Sequence, residues 1–340
     1  MRKVDHNTFQ PYTLEKPEMK ECYIAYLDML GYKAFFEENP GKIDDMLLVF
    51  NQAIVKITER LHIFNLMFQD SDWIKFKIFS DNIIVWMEYK DHYPMQCLLL
   101  LFMELIRDFQ TGLTLSYGIF LRGGIVRGQF AANNMFVFGK GLIDAVELEA
   151  KKAIFPRIII DGLVISDLHN GKIFDDHEIF FEAIMKNCFF TDSDNFAVID
   201  YLNIPDFSCI YTPEHIGQIK RKYETELPEY PSIAIESEVI TDPLKRCEWL
   251  TYMLTIHKNL IEKQIEYRMQ QYNEYRNDKG KLRNNERILK KYIWSMNYHN
   301  KTCDSSGNGN LKILYDISFD PIKDILYVHL ITQDVSNIRG

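Results

Sequence analysis

Hydrophobic and polar positions change their period several times along the first half of the chain. Cys22 to Leu27 is a short apolar run rich in strand-forming residues, and Trp73, Lys75, Lys77 and Phe79 alternate with Ile74, Phe76 and Ile78, the period-two signature of a strand with two unlike faces. A third run, Ile83 to Met87, follows almost at once. Between the first two strands, Met46, Leu47, Phe50, Ile54 and Ile57 recur at helical spacing and predict a helix over Ile43 to Leu61 that packs on the sheet. Met95 to Phe109 predicts a second helix and Ser116 to Arg127 a fourth strand, in which Gly118, Gly123, Gly124 and the following Gly128 mark bends or close approaches. A helix over Leu142 to Lys152 and a strand over Arg157 to Ile160 extend the series. The order β-α-β-β-α-β is the ferredoxin-like pattern, an antiparallel sheet against two helices, so the expected class is α+β.

The flanks read differently. Residues 1–20 show no sustained period and are expected to be an N-terminal arm, followed by the main domain over 21–185. Pro205, Pro213, Pro228 and Pro231 break the periods of a segment around Asp192 to Pro231, so 186–244 is expected to be an insertion or linker. Residues 245–340 form a mainly helical C-terminal extension, with one helix from Lys245, a polar interruption at Asn277 to Gly280, and a second helix to about Tyr298. Its alternating cations and glutamates predict a solvated helical pair with an apolar dimerisation face.

Composition narrows the function classes. At 340 residues and 47% hydrophobic content there is ample material for a core, while a formal net charge of -9 repels polyanions, so nucleic acid is not an expected partner. Any nucleotide must be held by local cations or metal ions. Six cysteines without a C-x-x-C pair or a secretory signal indicate a reducing, cytoplasmic setting. The apolar run Cys97 to Ile106 contains Glu104 and is too short to cross a bilayer, so no membrane insertion is expected. His299 and Cys303 are too isolated to suggest zinc.

Two acids stand out against this background. Asp28 ends an apolar strand just before a turn containing Gly31, and Asp81, with Ser80 next to it, lies in the two-residue hairpin turn between the second and third strands, where Asp-Asn is a favoured pair. Side by side in the sheet, both carboxylates project from one edge, where they repel unless cations intervene; hard oxygen ligands of this kind suit two Mg2+ or Mn2+ ions. The turn after Asp28 adds backbone N–H groups for phosphate oxygens, with Gly31 allowing close approach. Taken singly, each residue also reads as ordinary turn or cap chemistry.

Asp28-Met29-Leu30-Gly31-Tyr32 resembles the first metal motif of class III nucleotide cyclases, and Lys77 to Asp81 their second, a Lys four residues before a hairpin Asp. Arg122-Gly123-Gly124-Ile125-Val126-Arg127-Gly128 is similar to the next strand of that family, and Gly139 to Glu149 to its last helix. The resemblance covers about residues 21–165. It implies a palm-type nucleotide cyclase domain with a metal set of Asp28, Met29 and Asp81, of which the two aspartates are catalytic. It also implies nucleotide contacts from Gly31, Tyr32, Lys33, Lys77, Ser80 and Arg122, and an active site shared by a homodimer. The Asn and Arg that stabilise the family's transition state fall at Ile143 and Glu147, and Ala131 to Ile143 holds no Asp or Glu to select a purine. These departures, with Leu121 to Gly124 and Phe155 to Ile158, make the chain most similar to the pyrimidine cyclases of bacterial Pycsar antiphage systems. That resemblance implies UTP or CTP as substrate, cyclic UMP or cyclic CMP as product, and a downstream effector that answers to it.

Tyr32, Phe136 and Phe138 are bulky enough to narrow a pocket to a pyrimidine, or else are core aromatics. Lys77 is a candidate for a base carbonyl, and Lys33, Arg122, Arg127 and Arg157 for the triphosphate, with surface ion pairs as the alternative. Three other readings compete: a degenerate cyclase fold that binds a nucleotide without chemistry, a purine cyclase, and a palm-type synthase of oligonucleotides.

Overall fold

The computed structural model describes residues 17–31, 51, 55, 74–90, 95–133, 135–170, 188–203, 243–315, 317–320 and 325–328. β1 (Lys20–Met29), β2 (Ile74–Phe79), β3 (Asn82–Glu88), α1 (Met95–Tyr117) and β4 (Leu121–Ala132) follow in order. They are succeeded by β5 (Val137–Phe138), α2 (Lys140–Lys152), β6 (Ile158–Ile160), α3 (Gly162–Asn170), β7 (Phe189–Thr191) and β8 (Ala197–Ile199). The main sheet runs β2-β3-β1-β4-β6-β8-β7, with β5 hydrogen-bonded to β4. Neighbours are antiparallel except β4 and β6. The α+β class read from the sequence is what the chain adopts. Of the helix expected over 43–61 only Asn51 and Val55 are described, both helical.

Alternation along β1 assigns the two faces of the sheet. Tyr23, Ala25, Leu27 and Met29 pack toward α1, whose Leu98, Leu99, Phe102, Met103 and Ile106 complete the main core. Cys22 and Ile24 face the other way, joining Val126, Phe130 and Ala145 under α2. Burial on nearly every side explains why α1 reads as a continuous apolar run rather than a stripe. It continues through Ser116 and Tyr117, so β4 starts at Leu121 and not at Ser116 as its β-rich composition suggests.

α2 lies unusually close to the sheet, because its inner stripe is Gly141, Ala145 and Glu149 at successive i,i+4 positions. A Cβ on Gly128 of β4 would sit 2.9 Å from Gly141 Cα, so main chain meets main chain there. Any larger residue lifts the helix.

The C-terminal elements are α4 (Pro243–Glu274), a 3-10 turn at Tyr275–Asn277, α5 (Lys279–Ser305), and a separate antiparallel pair of β9 (Ile317–Asp320) and β10 (Ile325–Val328). Asp278 caps α5 by accepting from Gly280 N and Lys281 N, both at 3.1 Å, which accounts for the polar interruption in the sequence. The apolar face expected to mediate dimerisation is instead covered by the chain itself. Leu254, Tyr298 and Cys303 join the main core. Ile261, Ile265, Leu289 and Ile293 close a second core around Phe120.

Within the insertion or linker expected over 186–244, β7 and β8 add a hairpin to the sheet edge. Its turn is clamped by Arg157, fully buried and paired with Asp192 and Asp194. Among the described residues no helix is long and apolar enough to cross a membrane.

Candidate functional site

Asp28 is the penultimate residue of β1, on the α2 face, with Asn82 of β3 opposite on one side and Arg122 of β4 on the other. Asp81 follows in the β2–β3 turn, and Met29 N donates to Asp81 O at 3.0 Å, which stitches the end of β1 to that turn. The two aspartates recognised in the sequence are therefore neighbours at one sheet edge. Ser80 carries a left-handed φ of 55°, at the first central position of the hairpin turn where glycine is usual. Asn82 Nδ2 donates to Asp81 Oδ1 at 3.2 Å, and Tyr26 OH donates to Asn82 Oδ1 at 2.6 Å. Burial pushes the Tyr26 phenol up to about 12, helped by Glu149, Asp28 and Asp81, so it stays protonated and remains a donor. The Asp81 side chain is thus held by Asn82, which Tyr26 orients, and its main chain by Met29 N.

Arg122 Nε lies 2.7 Å from Asp28 Oδ2 and 2.7 Å from Glu149 Oε1. One N–H cannot fully satisfy both acceptors. Asp28 receives the hydrogen bond, while Glu149 Oε1 is buried without one. Burial raises the Glu149 carboxyl above its usual range and Asp28 adds to that, against the opposing pull of Arg122 and Lys291. Glu149, Tyr26 and Asn82 were not singled out from the sequence. A glutamate in the Gly141-Ala145 stripe of α2 was the available signal.

The remaining candidates separate. Lys77 extends on the same face as Asp28 and donates to Asn133 O at 3.0 Å, in the connection leaving β4. Gly31 adopts a φ of 85° with open space around it, which suits a turn that something must approach. The Met29 side chain is buried toward α1, leaving only its main-chain carbonyl for a ligand. Tyr32 and Lys33 lie outside the described residues.

Neither Arg127 nor Arg157 is available to a triphosphate. Arg127 pairs with Asp167 and Glu21 and stacks on Tyr89, and Arg157 holds the β7–β8 turn. Phe136 and Phe138 are exposed, not core aromatics. Ile143 is exposed as well, and Glu147 pairs on the outer face of α2 with Lys151 at 2.7 Å.

Among the described residues no three His, Cys, Asp or Glu side chains converge into a metal cage. The edge offers two carboxylates, Asp28 and Asp81, and the Met29 carbonyl, hard donors but fewer than a cage. This set fits magnesium or manganese, which are commonly bound through one or two carboxylates together with substrate phosphates.

No family model matches the sequence, and no curated protein matches it. Among solved structures, a class III adenylyl cyclase-like ATP-binding protein from Pseudomonas aeruginosa superposes at 12% identity with a TM-score of 0.33. The match spans 47% of this chain and 37% of that one, a likeness too distant to carry an argument about either fold family or activity.

Proposed function

We propose that the chain is a nucleotide cyclase that converts UTP or CTP to the 3',5'-cyclic monophosphate and pyrophosphate. The observation that supports this reading is the main-chain hydrogen bond from Met29 N to Asp81 O, which joins the strand end that carries Asp28 to the turn that carries Asp81. Asp28, Asp81 and the Met29 carbonyl would hold two divalent ions, which supply charge neutralisation at the triphosphate and acidify the attacking hydroxyl. The chain's own residues do the positioning. Tyr26 and Asn82 fix the Asp81 side chain, the Gly31 turn presents N–H groups to phosphate oxygens, and Arg122 is poised to exchange Asp28 for a phosphate. Lys77 is placed to meet a base carbonyl.

Catalysis is assigned to a homodimer, because Met135, Phe136, Phe138 and Ile143 expose a cluster of large apolar side chains around β5 and the start of α2. A second copy covering that cluster would bring Phe136 and Phe138 toward a site and narrow it to a pyrimidine. Residues 21–185 form the catalytic domain in this reading, with 186–244 an insertion and 245–340 an extension. The enzyme works in the cytoplasm as the second-messenger synthase of an antiphage system whose effector senses the product.

The test is turnover by Asp28→Ala and Asp81→Ala, each expected to abolish cyclic product while leaving the fold intact. Full activity in either variant removes that residue from the mechanism. A second reading, a nucleotide-binding module without chemistry, is favoured by one observation: Arg122 already neutralises Asp28, while Ile143 and Glu147 stand where the family's Asn and Arg would act. Binding of UTP without any product would select it.

A further inference from the structure

The helical pair approaches the Asp28 edge through a second stripe of α5. Arg287, Lys291, Trp294 and Tyr298 recur at i, i+4, i+7 and i+11 and so share one face of the helix. The C-terminal part of that face is docked on the sheet. Tyr298 OH donates to Asp200 Oδ1 at 2.6 Å and its ring stacks on Phe190, while Trp294 Nε1 donates to Asp192 Oδ2 at 2.9 Å and its ring stacks on Phe155. One turn earlier, Leu289, Tyr292 and Ile293 pack with Phe120 and Leu30. Leu30 N donates to Phe120 O at 2.8 Å, so α5 crosses the chain two residues beyond Asp28 and two before Arg122.

Lys291 therefore comes down beside the acid cluster. It is half-buried, and among the described residues its amine has neither a hydrogen-bond acceptor nor an ion-pair partner. Burial lowers this amine to about 8, with Arg122 and Arg287 repelling its charge and Asp28 and Glu149 favouring it. Three cations thus crowd one side of the edge. Arg122 already has Asp28 and Glu149 as counter-charges and Arg287 is exposed to solvent, so Lys291 is the member of the three left without a direct acceptor, a contact that an anion at the edge would supply.

We propose that Lys291, with Arg287 one turn before it, is a polyphosphate-binding arm through which the C-terminal helix closes on a nucleotide held at Asp28 and Asp81. The assignment rests on the nucleotide reading above and extends it to a part of the chain outside the cyclase-like region. The ligand class is the polyphosphate of a nucleoside triphosphate, met by a point charge at Lys291 and a planar fork at Arg287. The extension then couples substrate binding to its docking on the sheet.

Calorimetric titration of the full chain with inorganic tripolyphosphate, in millimolar magnesium, tests this without requiring turnover. Lys291→Gln is expected to weaken the dissociation constant about tenfold and Arg287→Gln about threefold. Lys291→Arg should restore most of the loss, and Lys279→Gln, at the exposed start of the same helix, should change nothing. Thermal melts of each variant separate loss of binding from loss of fold. An unchanged constant in a folded Lys291→Gln protein overturns the assignment, as does a wild type that binds no tripolyphosphate. Cyclic product from the wild type beside an unchanged Lys291→Gln constant leaves the cyclase reading standing and removes only the arm. Lys291-dependent binding without any cyclic product does the reverse.

Discussion

Replacing Arg122 with methionine isolates the electrostatics of the candidate site. The guanidinium stands 2.7 Å from both Asp28 and Glu149, with side-chain exposures of 25%, 16% and 6% for Arg122, Asp28 and Glu149. At an effective dielectric near 20, each contact at that separation is worth about 6 kcal/mol of gross attraction, most of it offset by desolvation. Removing one partner of a buried pair costs about 3–5 kcal/mol, because the other charge is left uncompensated. The partial exposure of Arg122 places the loss at the lower end, about 3 kcal/mol at pH 7. Methionine preserves much of the side-chain volume, so little of this reflects a cavity.

The pH dependence has a definite sign. Glu149 already sits above its usual carboxylate range from burial, and without Arg122 it rises further. A carboxyl whose folded value is raised binds more protons folded than unfolded, so stability falls as pH rises toward the folded value and is recovered on acidification. Urea denaturation of Arg122→Met between pH 7 and pH 5 should show the deficit shrinking, and millimolar manganese should relieve it at pH 7. A variant as stable as the wild type at pH 7, or one whose deficit grows on acidification, refutes this account of the pair.

Gly128→Ala brings a Cβ to 2.9 Å from Gly141 Cα; lifting α2 should cost about 2 kcal/mol by urea midpoint and loosen Glu149 from Arg122. Ser80→Gly removes the left-handed strain at the hairpin turn and should stabilise by about 1 kcal/mol, read as a raised Tm. A further pH effect comes from the buried chain that joins Tyr201 OH with His257 Nε2 and His257 Nδ1 with His299 Nδ1, His299 Nε2 donating to Leu311 O, at 2.9, 3.2 and 3.0 Å. The facing Nδ1 atoms cannot both carry protons, so the two rings are not charged together, and burial depresses both histidines. The unfolded chain then takes up the protons, so this stability is present above about pH 6.5 and is lost as pH falls below it. His299→Gln should flatten that part of the denaturation profile.

The strands that carry the aspartates were legible because period-two alternation and a two-residue turn act within a few residues, and they suffice to bring Asp81 beside Asp28. Glu149 was less so. Its role depends on the 2.9 Å approach at Gly128 that points the α2 stripe into the sheet, a tertiary fact that periodicity does not encode. Arg157 illustrates the same limit: an arginine at the start of a strand reads as a phosphate ligand until the Asp192 and Asp194 turn closes over it. That turn was itself masked by the prolines downstream. The helical pair of the C-terminal extension was legible from its spacing, but its docking through Leu254 and Tyr298 onto the main core was not, because charged positions dominate its pattern.

The central claim is that Asp28 and Asp81 serve the cyclisation of a pyrimidine nucleoside triphosphate. Incubating the protein with each of the four ribonucleoside triphosphates and manganese, and resolving the products by mass, addresses it directly. The account predicts a cyclic monophosphate and pyrophosphate from UTP or CTP, absent with Asp81→Ala. No cyclic product from any of the four, or a product undiminished in Asp81→Ala, would contradict it.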